Sequence, residues 1–131
     1  MYFLADGARP EVEQRRLLET VAASGLPGAD AAGYAVSGSW QDALTVLALA
    51  LPSDRVSIVV LDEVSYLTSD PGFEGALQGV WDTRLATLPV LLILVVRTDP
   101  RWNGSSAMVA RSTAAVSTRR SSRSLRGTWR P

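Results

Sequence analysis

Residues 56–63 read Val-Ser-Ile-Val-Val-Leu-Asp-Glu, and the fold follows from this stretch. It is β-branched and almost wholly apolar with no alternation, which predicts a strand covered on both faces, hence a central strand of a parallel sheet. The run stops at two adjacent acids, placing Asp62 and Glu63 at its carboxyl end. Downstream, Pro89-Val90-Leu91-Leu92-Ile93-Leu94-Val95-Val96 is a second buried strand, too short to span a bilayer. Upstream, Tyr2-Phe3-Leu4-Ala5 forms a third, ended by Asp6-Gly7.

Helical patterns lie between these runs. Pro10 suits a first helical position, Glu11 and Glu13 favour the positive end of the dipole, and Leu17, Leu18, Val21 and Ala22 make an apolar stripe, so a helix is expected over about 10–24. Residues 25–38 carry turn signals and read as a loop. Ser39 and Asp42 form a capping pattern before Trp40, Ala43, Leu44, Leu47, Ala48 and Leu51, and Pro52 stops that helix. After another loop, Asp70 caps a helix that begins at Pro71 and carries Phe73, Ala76, Leu77, Val80, Trp81 and Leu85 on one face; core packing is the expected role of that stripe. The order β-α-α-β-α-β predicts a parallel sheet with helices on both faces and a site at the carboxyl ends of its strands.

Composition narrows the chemistry. The 131 residues are 47% hydrophobic, enough for a core in residues 1–96. With no Cys and no His, disulfides, thiol nucleophiles, imidazole catalysis and Cys/His zinc sites are excluded. All 13 cations are Arg, since Lys is absent. No apolar stretch reaches the roughly 18 residues of a membrane span and no leader pattern opens the chain, so a soluble cytoplasmic protein is expected. Charge is uneven: residues 1–96 hold twelve acids and five Arg, net −7, whereas 97–131 hold one acid, Asp99, and eight Arg, net +7. The basic segment is rich in Ser, Arg and Gly, lacks periodicity, and is expected to be largely disordered.

Two carboxylates closing a buried strand can hold a divalent cation and polarise a water. VSIVVLDE fits the Walker B pattern of P-loop NTPases, in which Asp62 orders a Mg²⁺ bridging nucleotide phosphates and Glu63 accepts a proton from the attacking water. Alternation along the strand lets the two acids point differently. The plainer reading is a strand running into an acidic loop. A receiver domain phosphorylated on Asp62 would need an earlier acidic pair and a Lys, and Lys is missing.

Read whole, residues 59–95 (VVLDEVSYLTSDPGFEGALQGVWDTRLATLPVLLILV) resemble the archaeal-type ATPase family, a branch of the STAND and AAA+ P-loop NTPases. The matching features are Tyr66-Leu67 after the acids, Asp70-Pro71-Gly72-Phe73, Leu77-Gln78-Gly79-Val80-Trp81-Asp82, and the apolar strand Leu91 to Val96. YFLADGARPEVEQ near the start is similar to the family's second strand and following helix, so the likeness covers about residues 1–96. It implies an incomplete RecA-like or AAA+ core, with ATP and Mg²⁺ as the parent family's ligands, Asp62 on the metal side and Glu63 as the catalytic base.

Two departures qualify the resemblance. The family holds phosphates in a G-x-x-x-x-G-K-[ST] loop, and this sequence has neither that glycine spacing nor any Lys. A chain that opens on the second strand leaves no room upstream for the loop, so a fragment inactive by itself is expected. Beyond Val96, where the family continues with S-D-x-x-x-M-E-x-L-x-x-x-G-R-P-x-x-x-R, this sequence reads Arg97-Thr98-Asp99-Pro100. Codons for residues 96–116 can be chosen so that reading from the third base gives SDRSAMERLISHGRPFHGRG, which resembles that continuation. Residues 97–131 are therefore expected to be the product of a frameshift near Val96.

Two non-enzymatic readings compete. The Arg-rich tail, with Trp102 and Trp129, could hold nucleic acid through salt-sensitive phosphate contacts. Alternatively, the α/β part could act through protein contacts, pairing by Tyr66 or exposed sheet edges with another copy or with a complete ATPase.

Overall fold

The computed structural model describes residues 1–96 and, for the backbone, 97 and 105–111. They form a small mixed α/β domain: β1 (Tyr2–Leu4), α1 (Pro10–Ala22), α2 (Ala29–Ala32), α3 (Trp40–Ala50), β2 (Ser57–Asp62), α4 (Val64–Thr68), α5 (Pro71–Thr83), a 3-10 turn (Leu85–Thr87), β3 (Val90–Arg97) and β4 (Ser105–Arg111). The sheet order is β1-β2-β3-β4, with β1, β2 and β3 parallel and β4 antiparallel to β3.

The expected strands and the three long helices are present, each for a local reason. Pro10 and Pro71 are the first residues of α1 and α5, where a missing amide hydrogen costs no helical bond. Ser39 caps α3, its Oγ accepting from the Asp42 amide at 3.2 Å and donating to Asp42 Oδ2 at 2.8 Å. Asp70 caps α5 through Gly72 N at 2.9 Å and also accepts Trp40 Nε1 at 2.9 Å, tying the starts of α5 and α3 together. Trp40 then meets Phe73 edge-on, with ring centroids 5.0 Å apart.

The second layer differs from expectation. Phe3, Val59, Leu61, Val90, Leu92 and Leu94 are buried, and the register pairs Phe3 with Leu61, Leu61 with Leu94, and Val59 with Leu92, so they share one face. Against that face lies a single layer of helices in which α3 touches both α1 and α5, contributing Leu17, Val21, Leu44, Leu47, Phe73 and Val80 to the core. The other face carries Tyr2, Leu4 and Ile58, each about half exposed, beside the partly exposed Val60, Leu91, Ile93 and Val95. Helices were expected on both faces; among the described residues they cover one. The cause is topological. Successive right-handed crossovers that step across a sheet in one direction deposit their helices on the same side, and β1-β2-β3 is such a sequence of steps.

Other differences are smaller. Two one-turn helices, α2 and α4, occupy segments read as loops. Ser105–Arg111, within the segment expected to lack regular structure, pairs with β3 from Arg97↔Ser105 to Leu91↔Arg111, which corrects that expectation for these seven residues. Residues 98–104 and 112–131, with the tail's remaining expectations, including Trp102 and Trp129, lie outside the described residues. No helix among the described residues is long and apolar enough to cross a membrane.

Candidate functional site

The parallel strands β1 and β2 end side by side, and the chain leaves both at the same rim. Asp62 is the last residue of β2, the middle strand of the three parallel ones, and Glu63 follows it directly. The acid pair thus sits at the carboxyl rim, where parallel sheets place their sites. No acidic loop follows: Glu63 leads straight into α4, its carbonyl accepting the Tyr66 amide at 2.9 Å.

Glu63 turns the chain through φ 56°, ψ 41°, and is the only described non-glycine residue with positive φ. For an L-residue other than Asn or Asp that conformation costs on the order of 1–2 kcal/mol. A glycine would avoid the cost. The turn also presents the Glu63 amide to the preceding side chain, and it donates to Asp62 Oδ1 at 2.8 Å.

Asp62 lies on the uncovered face. Its register partner is Leu4, and its neighbour two residues back, Val60, is paired with Tyr2. The Tyr2 hydroxyl donates to Asp62 Oδ2 at 2.5 Å. This hydrogen bond, with the negative charges of Asp62 and Glu63 beside it, raises the Tyr2 phenol above its ordinary pKa. Each Asp62 oxygen therefore takes one donor and keeps a lone pair for another partner.

A second polar cluster was missed in the sequence. Glu13, expected only to favour a helix dipole, is buried, and its Oε1 accepts the amides of Asp6, Gly7 and Ala8 at 2.9, 3.0 and 3.1 Å. Arg16 bridges Glu13 Oε2 at 3.3 Å and Asp6 Oδ2 at 2.7 Å. Three consecutive amides turned inward make the kind of nest that elsewhere takes phosphate, and here the protein's own carboxylate fills it. The β1–α1 loop is thereby fixed beside the acid pair, with the Tyr66 ring against Gly7, where a Cβ would come within 3.0 Å of Tyr66 Cδ1. A cavity of about 310 Å³ lies here, lined by Ala8, Glu13, Trp40, Tyr66, Asp70 and Pro71 among others; Asp62 and Glu63 do not line it.

The donor set limits what the pair can hold. Among the described residues no group of three or more His, Cys, Asp or Glu could enclose a metal ion. Mg²⁺ commonly takes only one or two carboxylates, keeps waters and completes its shell with phosphate oxygens. Asp62 and Glu63 fit the protein's share of such a site but not a self-sufficient one. The chain matches no family model, no curated protein and no solved structure.

Proposed function

We propose that this chain carries the acid half of the nucleotide site of a P-loop ATPase resembling the archaeal-type family, and that by itself it does not turn over ATP. The observation that carries this reading is the placement of Asp62 at the carboxyl end of the middle parallel strand, on the uncovered sheet face, with Glu63 held in a strained turn immediately after it. In such a site Asp62 sits on the metal side and Glu63 Oε accepts the proton of the attacking water. Bound Mg²⁺ would supply charge neutralisation at the phosphates.

The absence of turnover follows from the missing phosphate grip. The sequence has no Lys and no G-x-x-x-x-G-K-[ST], and the amide nest beside the acids is filled by Glu13. Two carboxylates without phosphate oxygens hold Mg²⁺ weakly and leave the triphosphate unpositioned.

The coding locus, read in all frames, tests the proposal. It is expected to encode G-x-x-x-x-G-K-[ST] within one domain's length upstream and a continuation like SDRSAMERLISHGRP in the shifted frame downstream. A protein built from the joined frames should release phosphate from ATP and lose that activity in Glu63→Gln. A locus lacking both segments refutes the family reading. Phosphate release by the purified 131-residue chain that is sensitive to Glu63→Gln refutes its inactivity.

A further inference from the structure

The three residues of β1 alternate, with Phe3 buried under the helices and Tyr2 and Leu4 on the open face. Leu4 stands directly across from Asp62 and has nothing to donate; Tyr2 stands one diagonal step away, across from Val60. Diagonal neighbours on paired strands are about 7–8 Å apart at Cα, within reach of an aromatic ring but not of a short polar side chain. A tyrosine at this position therefore delivers a hydroxyl to Asp62 that few other residues could, and the phenol meets Oδ2 at 2.5 Å.

We infer that Tyr2 is a positioning residue for Asp62: its hydroxyl and the Glu63 amide, one on each carboxylate oxygen, fix the rotation of the carboxylate and aim its remaining lone pairs toward a hydrated divalent cation. This inference rests on the reading of Asp62 as the metal-side acid. The terminal torsion of an aspartate is broad and roughly two-fold, and Asp62 is only partly buried, on a face no described helix covers. One donor would leave the carboxylate free to swing about that bond. Two donors on different oxygens remove the swing, which is how outer-sphere partners orient metal-binding carboxylates.

A purely structural role, a tie between β1 and β2, explains the hydroxyl less well. The two strands are already joined by Val60 N to Met1 O at 3.0 Å, Ala5 N to Asp62 O at 3.1 Å, and the N-terminal amino group to Ile58 O at 2.7 Å. Phe3 anchors β1 in the core at 2% exposure, while Tyr2 remains 55% exposed. The fold needs no further contact there, and removing a single solvent-facing hydroxyl should leave it intact. Among the described residues the Tyr2 hydroxyl hydrogen-bonds the carboxylate that ends the central strand.

The test uses Mn²⁺ alone as the probe, its binding to the full 131-residue chain followed by water-proton relaxation, with urea midpoints measured in parallel. Wild type is expected to show one weak site. Tyr2→Phe, which keeps the ring and removes the hydroxyl, should weaken that site about tenfold with the urea midpoint unchanged. Asp62→Asn should abolish it. Tyr2→Phe binding Mn²⁺ as wild type does, with Asp62→Asn still abolishing the site, overturns the role of Tyr2 and leaves the reading of Asp62 standing. A fall in urea midpoint for Tyr2→Phe with unchanged affinity makes the hydroxyl a strand tie and overturns it equally. Mn²⁺ binding that survives Asp62→Asn, or no site in wild type, overturns the reading of Asp62 itself.

Discussion

Removing the carboxylate of Glu13 should be the most damaging single change at the rim. Glu13→Ala strips this acceptor from the amides of Asp6, Gly7 and Ala8 at once, and of the three only Ala8 N keeps another, Asp6 Oδ1 at 3.2 Å. Their geometry is dictated by the turn at Gly7, φ 81°, so they cannot simply find each other's carbonyls. A hydrogen bond to a charged group contributes about 1.5–3 kcal/mol, but three donors share one oxygen and are only part-buried, so about 1 kcal/mol each is the better figure. Arg16 keeps Asp6 as its partner at 2.7 Å, and no orphaned charge is left behind. The expected loss is therefore about 2–3 kcal/mol, a large fraction of the roughly 5–15 kcal/mol that holds a domain together. Glu13→Gln retains an oxygen for the three amides while turning its NH₂ toward Arg16 Nη1, and should cost about 1–2 kcal/mol. Urea denaturation followed by tryptophan fluorescence and helical circular dichroism would measure both. A Glu13→Ala cost under about 0.5 kcal/mol, or a Gln variant as damaged as the Ala variant, would show that the nest does not hold the loop.

Four further outcomes are expected. Tyr2 should titrate above 10.0, the ordinary value for its phenol; because the folded state holds that proton more tightly, the associated stability is complete below pH 10 and is lost as pH rises through the folded value. Phenolate absorbance compared between wild type and Tyr2→Phe reads this directly, and a missing component at or below the ordinary value contradicts it. Gly28→Ala should cost about 1–3 kcal/mol, since its Cβ would lie 2.7 Å from Ala50 Cα and 2.8 Å from Leu49 O. Gly75→Ala, inside α5 with nothing within 4 Å, should instead gain about 0.5–1 kcal/mol, and equal effects from the two glycines would refute the packing argument. Asp70→Ala removes both the α5 cap and the acceptor of Trp40 Nε1 and should lower stability by about 2–3 kcal/mol; a urea midpoint within error of wild type would show that the cap and the Trp40 bond are dispensable.

What could be read from sequence was whatever is local. The caps at Ser39 and Asp70, the prolines opening α1 and α5, and the apolar strands ending at Asp62 and near Val96 each depend on residues a few positions apart. The acid pair's position at the strand end followed from the same run. Contacts set by register were invisible: nothing around Tyr2 announces Asp62, 60 positions away, and nothing in Glu13 distinguishes it from Glu11 until the loop before it curls back. β4 was missed for a related reason. A strand that pairs at the edge of β3 draws its stability from that neighbour more than from its own composition, and Ser and Arg at its ends masked the Ala-Met-Val-Ala between them.

The error about helices on both faces is the most informative, because the strand run that prompted it was read correctly. Ile58 and Val60 are as apolar as Val59 and Leu61, and a sheet face exposed to water by design would have polar residues at those alternate positions. Instead Tyr2, Leu4, Ile58, Val60, Leu91, Ile93 and Val95 make a continuous apolar surface that no described helix covers. Sequence and topology are reconciled if these strands belong to a doubly wound sheet of which the described residues supply one direction of winding; the other direction, after the strand order reverses, would bring the second helical layer. The switch point of such a sheet is also where a ligand binds, and Asp62 lies at the carboxyl rim on the uncovered side. On the proposed ATPase reading, the bare face and the absent phosphate grip would share one topological cause, and a segment supplying the second winding would bury the apolar surface and face Asp62 at the same time.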